Sequence, residues 1–357
     1  MSKRFILTIV TLIVLVVAAG VVIFFAKGYT VSTKEKRIVG TGIITVSSLP
    51  DAAAVFIDGH LTTATNATVS SLPSRTYSVK VIKEGFIPWE RSVEVKEGLV
   101  SALKITLFPA IPTIYPLTFT GVVNPVLSPD GAKLTFIVPS GKKAGVWVWT
   151  MSNNQPIAFA RSSEPHQIAA STVVDYSKAT LRWSPDSKQV LAVVAKNNYL
   201  LNVDSLNSDP RDITAILDAT LQSWEADVKD KETARVLSIK DLSVRQIASG
   251  SAGLRWSPDE TKFMSATKVY DLETSKLYDI PGSKYQFWLP DSLHLVLVED
   301  NQISVADFDG TNKAVIYAGK FENLAVFPWP DSSRLVIISS FPTPTASEPN
   351  LYGINLR

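Results

Sequence analysis

The feature that most constrains the fold of this chain is a short phrase, Ser-Pro-Asp, that recurs through its C-terminal part. The three full copies are Leu127-Ser-Pro-Asp-Gly131, Trp183-Ser-Pro-Asp-Ser187 and Trp256-Ser-Pro-Asp-Glu260, and the two weaker copies are Trp288-Leu-Pro-Asp-Ser292 and Trp329-Pro-Asp-Ser332. Each copy is followed by an apolar run rich in β-branched residues. Proline presets φ for a turn, and aspartate bonds nearby backbone amides. The phrase therefore predicts a turn that ends one strand and starts the next.

We assign a structural role in the repeat to Pro129, Asp130, Trp183, Pro185, Asp186, Trp256, Pro258, Asp259, Pro290, Asp291, Pro330 and Asp331. Consecutive phrase prolines are 56, 73, 32 and 40 residues apart, and a unit of four strands takes about 40–50 residues. The gap of 73 has room for one unit without the phrase, which we place near Leu221-Gln-Ser-Trp224 and Arg235-Val-Leu-Ser-Ile239. Residues 111–357 are thus predicted to form a β-propeller of about six blades.

A propeller removes its open edges by closing on itself, usually with one blade built from both chain ends. We therefore expect Pro112–Phe119 to pair with the last blade beside Leu351-Tyr-Gly-Ile-Asn-Leu356. The phrase and its spacing resemble the propeller of the Tol-system periplasmic protein TolB and WD-repeat-like propellers, over about 240 residues. That resemblance implies the fold and carries no activity.

Residues 42–110 are rich in short segments typical of strands. We assign strands to Gly42–Ser48, Ala54–Ile57, Ala67–Ser71, Thr76–Ile82, Arg91–Val95 and Val100–Leu107. Asp58-Gly59 follows the second strand and is a strong hairpin-turn signal, because glycine takes a positive φ without strain. About six short strands in under 70 residues indicate a small all-β sandwich.

The same segment resembles the PEGA domain, a small bacterial β-sandwich named for a Pro-Glu-Gly-Ala motif. The positions that match the motif, all expected to be structural, are Pro50, Asp51, Ala52, Ala53, Asp58, Gly59 and Gly85. Asp51 stands where the motif has Glu and Ala52 where it has Gly. The resemblance implies an envelope-associated protein and no catalytic role.

A membrane helix is predicted at the N-terminus. Phe5–Ala26 contains no charge and, at 1.5 Å per residue, is long enough to cross a hydrocarbon core of about 30 Å. A cleavable signal peptide has an apolar region of only about 7–15 residues, so we favour an uncleaved single-pass anchor. Residues 1–4 would form a short tail before it, and 27–41 a polar stalk after it.

The orientation of that anchor is open to two arguments. Basic residues flank both ends of the span, and the positive-inside count taken alone leans towards an outside N-terminus. Large downstream domains cross largely regardless of charge, and a chain without cysteine suits an oxidising compartment. We expect a single pass of the cell membrane with the body outside the cytoplasm.

Composition excludes several classes of site. The chain has no cysteine and three histidines, so thiolate zinc sites, cysteine nucleophiles and His-rich metal centres are not expected. Beyond residue 41 there are 29 basic and 32 acidic residues, a net charge of −3, which argues against nucleic acid as a partner. No phosphate-binding loop, nucleophile elbow or zinc-protease motif occurs. We expect no cofactor, no metal and no catalytic residue.

Two residue sets remain to be interpreted. His166 lies in Ser163-Glu164-Pro165-His166-Gln167, which we take as a loop. Trp183, Trp224, Trp256, Trp288 and Trp329 recur at the predicted blade starts, and tryptophans held in a repeat are more often core than ligand contacts.

The sequence favours a non-catalytic, membrane-anchored envelope protein that binds a protein partner or a cell-wall polymer through loops at one end of the propeller channel. The alternative is a carbohydrate-processing or peptidase-type enzyme with a site at the channel mouth, which clustered carboxylates there would favour. A third possibility keeps the body in the cytoplasm as a sensor, and protease access from outside the cell would separate it from the first.

Overall fold

The computed structural model describes residues 3–26, 29–32, 37–151, 164–251, 253–322, 324–341 and 348–357. They belong to two compact units whose boundary lies between Ala110 and Ile111. Each unit has its own hydrophobic core.

The first unit begins with helix α1, Lys3–Ala26, whose sequence is uncharged after Arg4. Within the part of the chain that is described, we find no helix with both the length and the apolar character that a membrane span requires. Strand β1, Tyr29–Ser32, pairs with the start of β2, Arg37–Leu49. Strand β1 lies within the predicted stalk, 27–41, and β2 begins in it. The β-branched residues of this segment favour strands.

The rest of the first unit is a sandwich of two four-stranded sheets. Its further strands are β3 (Ala54–Ile57), β4 (His60–Ala64), β5 (Ala67–Pro73), β6 (Thr76–Ile82), β7 (Trp89–Glu94) and β8 (Val100–Thr106). One sheet has β2 paired with β1, β5 and, in parallel, β8, and the other has the order β4-β3-β6-β7. Because successive side chains of a strand point to opposite faces of its sheet, every second residue is buried between the sheets, as are Val55, Ile57, Val79 and Val81. The small all-β sandwich that the sequence predicts is confirmed, with β1 and β4 as additional strands.

The second unit contains five four-stranded antiparallel sheets among its described residues. Sheet 1 is β10 (Val123–Leu127), β11 (Lys133–Val138), β12 (Gly145–Thr150) and β13 (His166–Ala170). Sheet 2 is β14 (Thr180–Trp183), β15 (Gln189–Val194), β16 (Asn197–Asn202) and β17 (Arg211–Asp212). Sheet 3 is β18 (Arg255–Trp256), β19 (Lys262–Ser265), β20 (Lys268–Asp271) and β21 (Lys276–Asp279).

Sheet 4 is β22 (Tyr285–Trp288), β23 (His294–Glu299), β24 (Gln302–Asp307) and β25 (Ala314–Ala318). Sheet 5 is β26 (Val326–Pro328), β27 (Arg334–Ser339) and β28 (Asn350–Asn355), completed by β9 (Ile114–Pro116). Consecutive strands lie side by side as a meander in every sheet, except that β9, from the start of the unit, completes sheet 5. This arrangement, with its first strands around a central cavity, is a β-propeller.

Sheet 5 closes the ring as the sequence predicts. Tyr115 of β9 pairs with Gly353 of β28, and Ile114 with Ile354. Both chain ends of the unit therefore share one sheet, in which β9 is the outermost strand.

The phrase forms the turn between the first and second strands of each sheet. In sheet 2 the Ser184 hydroxyl donates to Asp186 Oδ1 at 2.7 Å and accepts the N–H of Gln189 at 2.9 Å. Asp186 Oδ1 also accepts the N–H of Lys188 at 3.1 Å. The residue after aspartate has a positive φ in all five turns: Gly131, Ser187, Glu260, Ser292 and Ser332.

The prediction of a further blade in the 73-residue gap is wrong. Residues 217–250 form two helices, α2 (Leu217–Ser238) and α3 (Leu242–Gly250). Leu217, Leu221 and Trp224 are spaced by four and three residues, which is the period of a helix face and not of a strand. Helix α2 also lacks proline and glycine and is rich in helix formers. The Asp241 carboxylate caps α3 by accepting the N–H groups of Ser243 and Val244.

Two smaller predictions also need correction. His166 starts strand β13 and is not in a loop, and its Nε2 lies 2.9 Å from the carbonyl oxygen of Val203 in sheet 2. Trp224 lies on α2 and not at the start of a blade, although it is buried as predicted.

Candidate binding cavity

The first strands of the five sheets surround a central cavity of about 1500 Å³. Each meander starts at the inner edge, so β10, β14, β18, β22 and β26 face the cavity. Helix α2 completes the wall with Glu232 and Arg235. A cavity of this size exceeds the range of about 300–1000 Å³ typical of small-molecule sites, so it has room for part of a macromolecule.

The repeat brings its prolines together around this cavity. Pro129, Pro258, Pro290 and Pro330 line it, because the turn that each starts follows directly on an inner strand. Of the phrase aspartates, only Asp130 is part of the lining. The remaining phrase aspartates support the turns, where Asp259, Asp291 and Asp331 each accept a backbone N–H two residues on.

Aromatic side chains form much of the cavity wall. Trp256, Tyr285, Phe287, Trp288 and Phe327 all come from the inner strands of sheets 3, 4 and 5. Tyr285 is 48% exposed, and its ring centroid lies 5.7 Å from that of Phe287. Aromatic rings on an exposed wall provide large rigid contact areas for a ligand.

The tryptophans at the ends of the inner strands pack in the core and also contact the neighbouring blade. We call the interface between two neighbouring blades a seam. Trp183, Trp288 and Trp329 are buried and Trp256 is half-buried. The indole Nε1 of Trp183 donates to the Val126 carbonyl of sheet 1 at 2.9 Å, and that of Trp288 to the Arg255 carbonyl of sheet 3 at 2.8 Å. These side chains therefore join neighbouring blades.

Charged groups in the cavity wall mostly have partners in the protein. Arg235 Nε lies 2.8 Å from Glu260 Oε1, and Lys284 forms an ion pair with Asp300. Arg255 donates to the Gln286 carbonyl and, among the described residues, has no ion pair. The lining thus offers one guanidinium without a carboxylate partner.

Two carboxylates line the cavity, and both are engaged. Glu232 accepts the indole N–H of Trp256 at 3.0 Å. Burial raises the pKa of Asp130. Hydrogen bonds from the Ser128 hydroxyl and the Ala132 N–H, together with the charge of nearby Lys133, lower this pKa by more than burial raises it, so that it lies below its ordinary value. Asp130 is therefore a charged, hydrogen-bonded turn residue at neutral pH and not a proton donor.

A buried acid–base cluster lies in sheet 4, away from the cavity lining. His294 is 3% exposed, with Nδ1 at 2.7 Å from Asp291 Oδ2 and Nε2 at 3.4 Å from Asp307 Oδ1. Asn312 donates to the other oxygen of Asp307 at 2.9 Å. The cluster joins the phrase turn to the end of the third strand.

Metal chemistry has no candidate in the described part of the chain, where no three His, Asp or Glu residues are placed to hold an ion. Asp309, which with Asp307 could suggest a calcium loop, accepts the N–H and hydroxyl of Thr311 and so supports a turn. The expectation that the protein uses no cofactor stays a prediction.

The motif positions of the sandwich lie in its turns. Asp58 and Gly59 both have a positive φ, as the hairpin requires. Asp58 accepts hydrogen bonds from Arg75, at 2.7 Å, and from the Ser78 N–H, and these bonds hold its pKa below the ordinary value. Gly85 has a φ of 80°.

The degenerate tetrapeptide keeps the turn conformation. Ala52 has a φ of 53°, which an alanine rarely adopts. Pro50 and Asp51 lead into this turn, where the Asp51 carbonyl accepts Lys83 Nζ at 2.7 Å. Ala53 is fully buried, and its N–H donates to Thr65 Oγ1 at 3.0 Å.

The family comparison agrees with this geometry, since the model of the PEGA domain matches residues 41–110. This segment is a PEGA domain. The predicted order, a PEGA domain followed by a propeller, is confirmed by that match and by the sheet topology of the second unit.

Solved structures similar to the chain include two TolB proteins. TolB from Acinetobacter baumannii is 12% identical over 79% of this chain and 60% of its own length, with a TM-score of 0.25. Putative TolB from Agrobacterium tumefaciens is 13% identical over 63% of this chain and 76% of its own, with a TM-score of 0.24. A luciferin-regenerating enzyme is 11% identical over 68% of this chain and 95% of its own, with a TM-score of 0.31.

At these TM-scores none of the three carries an inference about function. This chain spans 60% of the A. baumannii TolB structure. No protein of curated function matches the chain.

Sequence reasoning missed the side chains that give the cavity its character. Arg255, Lys284, Tyr285, Phe287 and Phe327 belong to no motif of their own. Their common signal is position, since each lies three to six residues before a phrase proline and hence on an inner strand or, for Lys284, directly before one.

Proposed function

We propose that this protein is a non-catalytic, membrane-anchored envelope protein whose propeller binds an extended segment of a protein partner or a cell-wall polymer in its central cavity. The observation that carries the proposal is the cavity of about 1500 Å³ with an aromatic wall and, among the described residues, one guanidinium that has no carboxylate partner. An extended chain segment suits such a cavity better than a small molecule, because small ligands are usually enclosed by smaller pockets.

The anchor in this proposal is helix α1. Its sequence from Phe5 to Ala26 carries no charge, and the large apolar side chains described on it, from Ile9 to Ile23, are exposed. A helix that is apolar all round needs an apolar environment on every side. A hydrocarbon bilayer provides that environment, and we place the PEGA domain and the propeller outside the cytoplasm.

The absence of catalysis is part of the proposal. The two lining carboxylates come from different elements, a turn of sheet 1 and helix α2, and each has hydrogen-bond partners in the protein. General acid–base chemistry needs a titratable group free to exchange a proton with a substrate. These two groups support turns and seams instead.

The first test measures binding by the full chain in detergent micelles to two probes, purified cell wall and solubilised envelope proteins. The variant Tyr285→Ala removes the most exposed aromatic group of the cavity wall, and we expect it to weaken binding at least tenfold. Phe119→Ala is the matched control, because Phe119 is 74% exposed and is not part of the cavity lining.

Equal binding by Tyr285→Ala and by the unaltered chain would overturn the cavity as the binding site. The soluble segments 42–357 and 111–357 then separate the two units. Wall binding that resists salt and needs residues 42–110 would assign it to the PEGA domain, and capture of one defined protein by 111–357 alone would assign binding to the propeller.

A further inference from the structure

Neighbouring blades of this propeller are joined by two repeated hydrogen bonds. In the first, the N–H of a phrase aspartate donates to the serine hydroxyl in the next turn: Asp130 to Ser187 at 3.2 Å, Asp259 to Ser292 at 3.0 Å and Asp291 to Ser332 at 3.0 Å. In the second, a tryptophan Nε1 donates to a carbonyl of the preceding inner strand, as Trp183 and Trp288 do. These bonds join sheets 1 and 2, 3 and 4, and 4 and 5.

Neither bond is made between sheets 2 and 3. The serine position of the turn is Glu260 in sheet 3, and its carboxylate pairs with Arg235 of α2. The tryptophan of sheet 3, Trp256, donates to the Glu232 side chain of α2. Among the residues that the structure describes, no hydrogen bond joins sheet 2 directly to sheet 3.

The apolar core is also interrupted at this seam. Trp224, at the N-terminal half of α2, packs with Leu191 and Ile213 of sheet 2. Val236 and Ala248 pack with Phe263 of sheet 3 in a separate cluster. Between them, residues 225–231 of α2 are exposed. One continuous helix thus bridges two cores that do not meet.

The seam between sheets 5 and 1 provides a contrast. It also lacks the serine, since the turn position in sheet 1 is Gly131. However, one cluster of buried residues spans both sheets, with Trp149 and Trp329 edge to face at 5.4 Å. Loss of the serine alone therefore does not open a seam.

A cleft of about 570 Å³ lies alongside α2 and α3, and it adjoins the central cavity. Glu232 and Leu254 line both spaces.

From these observations we propose that the seam between sheets 2 and 3 is a side entrance to the central cavity, with α2 as the strap that closes it. The bonds of Trp256 to Glu232 and of Glu260 to Arg235 hold the strap shut. Resting on the proposed function, the entrance lets an internal stretch of a partner chain enter the cavity from the side, so that no free end has to be threaded.

The test measures distances across two seams by spin labelling of the full chain, which has no native cysteine. Lys188, Thr261 and Leu293 occupy the same position, two residues after the phrase aspartate, in sheets 2, 3 and 4. Lys188→Cys with Thr261→Cys spans the strap seam. Thr261→Cys with Leu293→Cys is the matched control across the seam between sheets 3 and 4.

We expect one narrow distance for the control pair and an additional, longer distance for the strap pair. Glu232→Ala with Arg235→Ala should raise the fraction of the longer distance at least threefold and leave the control pair unchanged. Glu232→Gln should behave like the unaltered chain, because its amide oxygen still accepts the indole N–H of Trp256.

A strap pair as narrow as the control pair, before and after the double substitution, would overturn the side entrance. Equal broadening of both pairs would also overturn it, since the whole ring would then be loose. The measurement needs no ligand, so a negative result here leaves the Tyr285→Ala test of the cavity as it stands.

Discussion

The seam between sheets 3 and 4 and the seam between sheets 2 and 3 use the same residue type in two different ways. At the first, Trp288 donates to a backbone carbonyl of the neighbouring blade, and at the second, Trp256 donates to the side chain of Glu232 on a helix. A backbone acceptor is fixed by its sheet, whereas a glutamate acceptor sits on a rotatable side chain. The repeated phrase therefore builds a rigid seam only where its neighbour is another blade.

The largest expected difference between the two seams comes from removal of these indoles. Trp288→Ala removes a buried side chain, 6% exposed, from the core that sheets 3 and 4 share. Such a truncation lowers the free energy of unfolding by about 3–5 kcal/mol. Trp256→Ala removes a half-buried side chain, and we expect a loss of about half that.

Denaturant unfolding of the two variants, followed by near-ultraviolet circular dichroism, checks this prediction. Equal losses would contradict it, because the seam bridged by the helix would then be as well packed as the seam between two blades.

Acid should weaken the phrase turns through the carboxylates of their aspartates. Burial raises the pKa of Asp291. The hydrogen bond and charge of His294 and two backbone N–H groups lower this pKa by more than burial raises it, so that it lies below the ordinary 3.8. A carboxylate whose pKa is lower in the folded state stabilises the fold above the unfolded pKa, and this stabilisation is lost as the pH falls from about 5 through the folded value.

Asp291→Asn should therefore flatten the dependence of unfolding free energy on pH below about 5. Asp186→Asn is the matched control in sheet 2, where the Ser184 hydroxyl chiefly lowers the aspartate pKa. Asp186 is more exposed to solvent, which screens its interactions, so the flattening should be smaller. Unfolding midpoints measured between pH 2.5 and 7 check this prediction, and an equal or larger flattening for Asp186→Asn would contradict it.

The serine bonds of the repeat offer a smaller effect. Ser292→Ala removes the acceptor of the Asp259 N–H in a buried turn, and loss of such a bond costs about 1–2 kcal/mol. Glu260→Ala, at the same turn position in sheet 3, removes only an exposed ion pair, which is worth at most about 1 kcal/mol. Thermal unfolding of both variants should show the larger decrease in Tm for Ser292→Ala, and the reverse order would contradict the difference between the seams.

The sequence predicts the sheets of the propeller because their signal is local. Pro185 and Asp186 belong to a turn formed by residues within a few positions of each other, and the closing strand at Ile114 follows from the need to remove an open edge. The PEGA turns at Ala52 and Asp58 likewise depend on residues within a few positions of each other.

Sequence-based prediction fails where the structure depends on residues that are distant in the chain. The spacing of 73 residues is compatible with a blade, and only the helical period of Leu217, Leu221 and Trp224 distinguishes the two outcomes. The cavity wall could not be predicted either, because Tyr285 and Phe327 come from different sheets and meet only when the ring closes.

The smallest predicted change in unfolding free energy comes from the backbone conformation of Glu260, in the turn at the seam between sheets 2 and 3. Glu260 has a φ of 58°, a left-handed conformation that costs a residue with a side chain roughly 1–2 kcal/mol and glycine almost nothing. Glu260→Gly relieves this strain and loses an exposed ion pair worth roughly 0.5 kcal/mol, so we expect a net gain of about 0.5–1.5 kcal/mol in unfolding free energy. Ser292→Gly relieves the same strain at a φ of 60° but also loses the buried bond to Asp259, so it should gain nothing. Denaturant midpoints that rise for Glu260→Gly alone would show that the turn of sheet 3 is free of the bond that joins the other blades, and equal shifts would show that it is not.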